Sequence, residues 1–156
     1  MEITKNEITK ISKKFKIPEK NILDFLEEEE RLLQLTHLKE SFLTADSHTK
    51  ISISKKWYAK CKNFHEFEEF YVVAYTKETT DKFFLDWLTA ATSYKEHRDV
   101  YLCVLQEDTT LAAKVLKAWN DQAESLEDIR EAMSYLEKDS DDYKAGMKKI
   151  MKIYKG

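Results

Sequence analysis

The chain has 156 residues, a formal net charge of −3, 42% apolar and 35% charged side chains, enough for one folded domain with a real core. Two glycines and one proline are too few for the turns of a strand-rich fold, and 19 aromatic side chains exclude wholesale disorder. No apolar run nears the roughly 18–20 residues that cross a bilayer, the opening MEITKNEITK lacks the apolar core of a signal peptide, and Cys61 and Cys103 alone imply no disulfide framework, so a soluble, reduced, cytoplasmic protein is expected.

Thr4 and Glu7 have the spacing of a capping box, with Ile3 and Ile8 placed as a hydrophobic staple around it. A first helix should follow to about Phe15, with Ile8, Ile11 and Phe15 facing inward. Pro18 then restarts the chain, since proline suits the first helical position. A second helix is expected from Pro18 to about Leu35, with Ile22, Phe25, Leu26, Leu32 and Leu33 as its inner stripe and Glu27 to Glu30 as a solvated face. Residues 36–43 can continue as a short helix through Leu38, Phe42 and Leu43, so residues 1–43 read as an N-terminal helical hairpin. Residues 44–54, rich in Ser, Thr, Asp and His, read as a polar loop. The alternation of Ile51, Ser52, Ile53 and Ser54 is too short to establish a strand. From Lys55 the chain carries Trp57, Tyr58 and Cys61 on one side and enters a region, 55–156, organised differently.

That region reads as one helical hairpin written three times, starting near Asn63, Ser93 and Ser125 at steps of 30 and 32 residues. Each start is a short polar side chain with an acid three residues on, namely Glu66, Glu96 and Asp128, again the capping-box spacing. Counting from each start, apolar or aromatic side chains recur at helical period. The first copy has Phe64, Phe67, Phe70, Tyr71 and Ala74; the second has Tyr94, His97, Val100, Tyr101 and Val104; the third has Leu126, Ile129, Ala132, Met133 and Leu136. Second caps are expected sixteen residues after each start, at Thr79, Thr109 and Asp141. In the second helices Leu85, Val115 and Met147 align, as do Leu88, Ala118 and Ile150, while Trp87 falls opposite Lys117 and Lys149.

Chemistry-bearing patterns are scarce. The residues three before His37, His48, His65 and His97 are Gln34, Ala45, Lys62 and Tyr94, so no Glu-x-x-His pair is present, and there is no His-Glu-x-x-His or paired Cys-x-x-Cys. Asp139, Asp141 and Asp142 lack the rest of an EF-hand loop: Tyr143 stands where a third oxygen ligand belongs and Lys144 where glycine belongs. His97 falls on the inward stripe and is expected as a buried, hydrogen-bonded side chain; Cys103 is expected in the core. Cys61, between Lys60 and Lys62, would be the more reactive thiol if exposed. With no nucleophile–base spacing and no Gly-rich phosphate loop, no metal, no cofactor and no enzymatic activity are expected.

Charge is unevenly placed. Residues 1–62 hold 13 Lys/Arg against 10 Asp/Glu, residues 63–143 hold 8 against 19, and residues 144–156 hold five lysines and no acid. The acidic block suits a basic protein or peptide and disfavours a polyanion. Within it Glu66, Glu68, Glu69, Glu78, Asp81 and Asp86 cluster in the first hairpin and are the candidate protein-binding residues.

Two resemblances can be placed on these residues. The segment from Ile3 to Leu26 resembles the opening of a helix-turn-helix unit in its spacing and Lys-rich first helix. The helix that would enter the major groove, however, runs into Glu27, Glu28, Glu29 and Glu30. Residues 55–156 look like a helical-hairpin array in the broad sense of the tetratricopeptide and HEAT classes, although the period of 30–32 and the missing glycine and proline depart from both. The expected fold is therefore all-α, as hairpins stacked in one compact array or an irregular bundle. The expected function is a protein- or peptide-binding module, an adaptor or inhibitor that uses the acidic helical surface. The alternatives are a nucleic-acid-associated regulator working through the basic N-terminal helices, and a helical-bundle enzyme or ligand-binding protein.

Overall fold

The computed structural model describes residues 2–76 and 82–156. It is 81% helical over these residues, with nine helices and no strand among them. The chain divides into two compact units, Met1–Cys61 and Lys62–Gly156.

The first unit is built from α1 (Lys5–Phe15), α2 (Glu19–Thr44) and α3 (Ser47–Lys60), with α2 packed on both neighbours. The capping box of α1 is formed: Thr4 Oγ1 accepts from the Glu7 N–H at 3.2 Å, and Glu7 accepts from the Thr4 N–H at 3.3 Å. At the other end Lys16 takes a left-handed conformation, φ 55°, and its N–H returns to the Ser12 carbonyl. This is the position that most helices give to glycine, because a Cβ is strained there. Pro18 serves as the N-cap of α2 instead of its first helical residue.

Four expectations for this unit need correction. The segment 36–43 is no separate helix: α2 continues unbroken to Thr44, because nothing between Leu35 and Thr44 breaks a helix. The inner stripe of α2 is also rotated, and Phe25 is 62% exposed while Leu32 and Leu33 face outward. The inward positions are Ile22, Leu26, Arg31, Leu35, Leu38 and Phe42, spaced three to five residues apart. Arg31 holds its place on that face by bonding. Its guanidinium donates to the Glu28 carboxylate and, at 2.6 Å, to the carbonyl of Lys60 at the end of α3, where a cation also meets the negative end of the helix dipole. On α1 the same fault recurs, since Phe15 lies outside while Ile8 is buried.

Residues 44–54 are not a loop. Asp46 accepts from the Thr49 N–H at 2.8 Å and starts α3 at Ser47, leaving a short connection at Ala45 and Asp46. Residues 47–54 are about the first two turns of this helix, and the Ser54 hydroxyl donates to the Ile51 carbonyl at 2.9 Å. Trp57 is fully buried against Phe42, ring edge to face at 5.8 Å.

The second unit contains α4 (Phe64–Ala74), α5 (Phe83–Ala90), α6 (Tyr94–Glu107), α7 (Thr109–Gln122), α8 (Leu126–Met133) and α9 (Asp141–Lys155), and from α4 on each helix packs against the next. Asn63, Ser93 and Ser125 are the N-caps of α4, α6 and α8, each accepting from the N–H three residues on. The inward stripe of these helices is as expected for Phe64, Phe67, Phe70, Ala74, His97, Val100, Tyr101, Val104, Ile129, Ala132 and Met133, all buried. His97 is indeed hydrogen-bonded, its Nδ1–H donating to the Ser93 carbonyl at 2.7 Å. α8 stops at Met133, so Leu136 lies beyond it.

The second caps lie one residue earlier than expected, at Asp108 for α7 and Ser140 for α9; Thr79 lies outside the described residues. The register of the second helices is also corrected. Phe83 and Trp87 in α5, and Val115 and Trp119 in α7, are fully buried, whereas Leu85 is exposed. These pairs match when counted back from the following cap: Trp87 is six residues before Ser93, and Trp119 six before Ser125. Trp57 stands six before Asn63, so the tryptophans carry the same steps of 30 and 32 as the caps. Between them, Ala91 and Ala123 end α5 and α7 with the same extended geometry, ψ 132° and 122°. Trp87 stacks on Tyr71 at 5.6 Å, and Trp119 on Tyr101 at 5.4 Å.

Two outcomes check this description. In denaturant titrations Lys16→Gly should stabilise the protein by about 1 kcal/mol and Thr4→Ala should cost about 1 kcal/mol. Trp119→Ala should cost roughly 3–5 kcal/mol, as expected for emptying a fully buried aromatic site.

Candidate interaction groove

The second unit carries a groove of about 750 Å³ along α4 and α6. From α4 it takes His65, Glu68, Glu69, Tyr71, Val72 and Val73; from α6, Asp99, Leu102 and Cys103; Trp87 of α5 also lines it. The helical turn explains the set. On α4, residues 65, 68, 69, 72 and 73 follow one another at steps of three, one, three and one, a single face beside the buried stripe. Asp99, Leu102 and Cys103 stand on α6 where Glu69, Val72 and Val73 stand on α4, each counted from its own cap. The result is an apolar strip, with Val72 as much as 75% exposed, flanked by carboxylates. Among the described residues no lysine or arginine lines it. Arg98 approaches Asp99 from outside the groove at 4.0 Å, and His65 Nδ1 lies 3.8 Å from Glu68.

Two weak acids of the groove are held in their neutral forms, first by burial and then by the neighbouring carboxylates. Burial pushes the Cys103 thiol up to about 11, helped by the charges of Asp99, Glu68 and Glu107. Burial likewise raises the Tyr71 phenol to about 12, with Cys103, Glu107 and Tyr75 adding to it. Both groups are therefore neutral at physiological pH, and Cys103 is a poor nucleophile there. What the groove offers is apolar contact, aromatic surface and negative potential. Among the described residues no three His, Cys, Asp or Glu side chains gather as a metal site requires.

Six acids were singled out from the sequence, and they divide. Glu68 and Glu69 stand together in the groove. Glu66 does not belong to an outer acidic face: it is 8% exposed, and its carboxylate accepts from the N–H groups of Lys62 and Asn63 at 2.9 and 3.4 Å. A carboxylate at that capping position turns back on the backbone instead of outward. Asp86 is exposed in the first turn of α5, away from the groove, where it suits the positive end of the helix dipole. Glu78 and Asp81 lie outside the described residues. Asp99 was missed because it belongs to the next hairpin. The signal was nevertheless available, since an acid recurs six residues after each of the caps Asn63, Ser93 and Ser125: Glu69, Asp99 and Glu131. Glu131 has another role. It accepts from the Tyr94 hydroxyl at 2.5 Å and from Arg98 at 3.4 Å, tying α8 to α6, and this phenol bond holds its pKa below the usual carboxylate range.

Cys103 supplies a direct test of the field. Because its acid form is favoured by folding, that contribution to stability is complete below the unfolded thiol value of 9.0 and is lost as pH rises through about 11. Alkylation of Cys103 by iodoacetamide, followed by mass spectrometry, should stay slow through pH 9 and accelerate toward pH 11. Replacing Glu68 by Gln and Asp99 by Asn should move that onset to lower pH.

Among the described residues no helix is long and apolar enough to cross a membrane. No protein-family model, curated protein or solved structure matches the chain.

Proposed function

We propose that the protein is a binding module, an adaptor or inhibitor, whose α4–α6 groove receives a basic amphipathic segment of a protein partner. The observation that carries this is the pairing of an exposed apolar strip, Val72, Val73 and Leu102, with carboxylates Glu68, Glu69 and Asp99 in one groove. Apolar surface alone would serve many partners; apolar surface between carboxylates selects lysines and arginines whose stems lie on the strip while their charges reach the acids. Tyr71, half-buried in the same groove, adds an aromatic surface favourable to a cation. A nucleic acid would meet repulsion there.

On this reading α4/α5, α6/α7 and α8/α9 are three copies of one helical-hairpin repeat. The support is the recurrence of cap, tryptophan and outward acid at the same steps, and stacked hairpins of this kind present extended surfaces. A reducing cytoplasmic setting fits the two free cysteines.

The test is a titration of the full chain with a fluorescent Lys/Leu amphipathic helical peptide, with a Glu/Leu peptide as control. The basic peptide should bind, with an association rate that falls as salt rises, because screening removes attraction beyond about 8–10 Å. Glu68→Lys with Glu69→Lys should weaken binding at least tenfold while leaving the thermal unfolding midpoint in place. Equal affinity for both peptides, or an unchanged association rate for the charge-reversed protein, would end the proposal.

A further inference from the structure

The third hairpin departs from the second at the positions that matter for packing. Counted from the cap of its hairpin, α9 carries Met147 and Met151 where α7 carries Val115 and Trp119. The residues of α7 are fully buried, and α7 packs against α8. Met147 and Met151 are instead 44% and 50% exposed, and Tyr154 continues their row one turn on. Beside that row Lys144, Lys148 and Lys152 follow at steps of four and Lys155 closes it, all four exposed. Lys149 is not part of this surface, since its ammonium donates to the carbonyls of Asn120 and Ala123 at 3.1 and 3.2 Å and anchors α9 to the end of α7.

From this we infer that the occupant of the α4–α6 groove includes α9 of a second copy of the chain. The inference rests on the groove reading above and names one partner for it. The two surfaces are complementary in kind: a row of apolar side chains beside a row of lysines on α9, an apolar strip between carboxylates on α4 and α6. Methionine side chains adapt to an irregular strip, and the four lysines meet Glu68, Glu69 and Asp99. The donor and acceptor surfaces are different patches of the same molecule. The contact is therefore heterologous and joins copies head to tail. Within one copy the anchored α9 serves the hairpin core, where Gly146 lets it approach Met133 closely.

Sedimentation equilibrium of the full chain across a concentration series gives the test. The weight-average mass should rise above 18.5 kDa as concentration increases, and return toward it in high salt. Two charge-reversed proteins are then compared, one carrying Glu68→Lys with Glu69→Lys, the other Lys144→Glu with Lys148→Glu. Each alone should remain at 18.5 kDa, because the first sets a positive groove against a positive α9 and the second leaves the α9 row with no net charge to meet the carboxylates. Their equimolar mixture should associate again, a rescue that misfolding of either protein cannot produce. A wild-type protein that stays at monomer mass at every concentration overturns the inference, and so does association that survives either reversal. If the chain stays monomeric while the groove still takes the Lys/Leu peptide, the inference fails and the proposed function stands. If both fail, the groove reading itself is wrong.

Discussion

The second unit depends on one recurring connection: a fully buried tryptophan, a helix end four residues later, and the cap of the next helix two residues after that. Trp87, Ala91 and Ser93 make it once, and Trp119, Ala123 and Ser125 make it again. The tryptophan cannot shift without opening a large cavity, and the cap cannot shift without stranding backbone N–H groups. With both ends held, the distance between them is held as well. Variation in length is pushed into the other turn, between first and second helix of a hairpin, which is why counting from the second caps mislaid Leu85.

That rigidity decides which side chains can reach a partner. On a first helix the residue three after the cap turns back on the backbone, as Glu66 does, while the residue six after it stands on the outer face, as Glu69 and Asp99 do. The same side-chain type thus completes a helix end at one offset and makes a surface potential at another. Because the hairpins share their offsets, neighbouring first helices place like residues side by side, and isolated acids become a continuous negative groove. The α6–α8 junction escapes this because Arg98 and the Tyr94 hydroxyl engage Glu131.

The first unit obeys a different constraint. α2 is long, and its inward face is interrupted by charge at Glu28 and Arg31, which are satisfied by each other and by the end of α3. A half-buried guanidinium is tolerable because its long stem packs while each of its three nitrogens donates a hydrogen bond. Phe25 and Leu33 turn outward on the same helix, an arrangement that an apolar-only stripe cannot foresee.

What the sequence determined by itself was local and periodic. Turn-former scarcity set the all-α class, and the caps at Thr4, Asn63, Ser93 and Ser125 were legible because a cap is a bond between residues three apart. The inward stripes of α4, α6 and α8 were legible for the same reason, being set by the helical repeat. The tertiary structure decided whatever requires residues distant in the chain to meet. It put Arg31 against the end of α3, rotated α2 accordingly, and turned residues 47–54 into helix. It brought Asp99 beside Glu68 and Glu69 and left Met147 and Met151 uncovered. Periodicity tells which side chains share a face of one helix, but not which second helix covers that face, and a groove exists only where two faces meet.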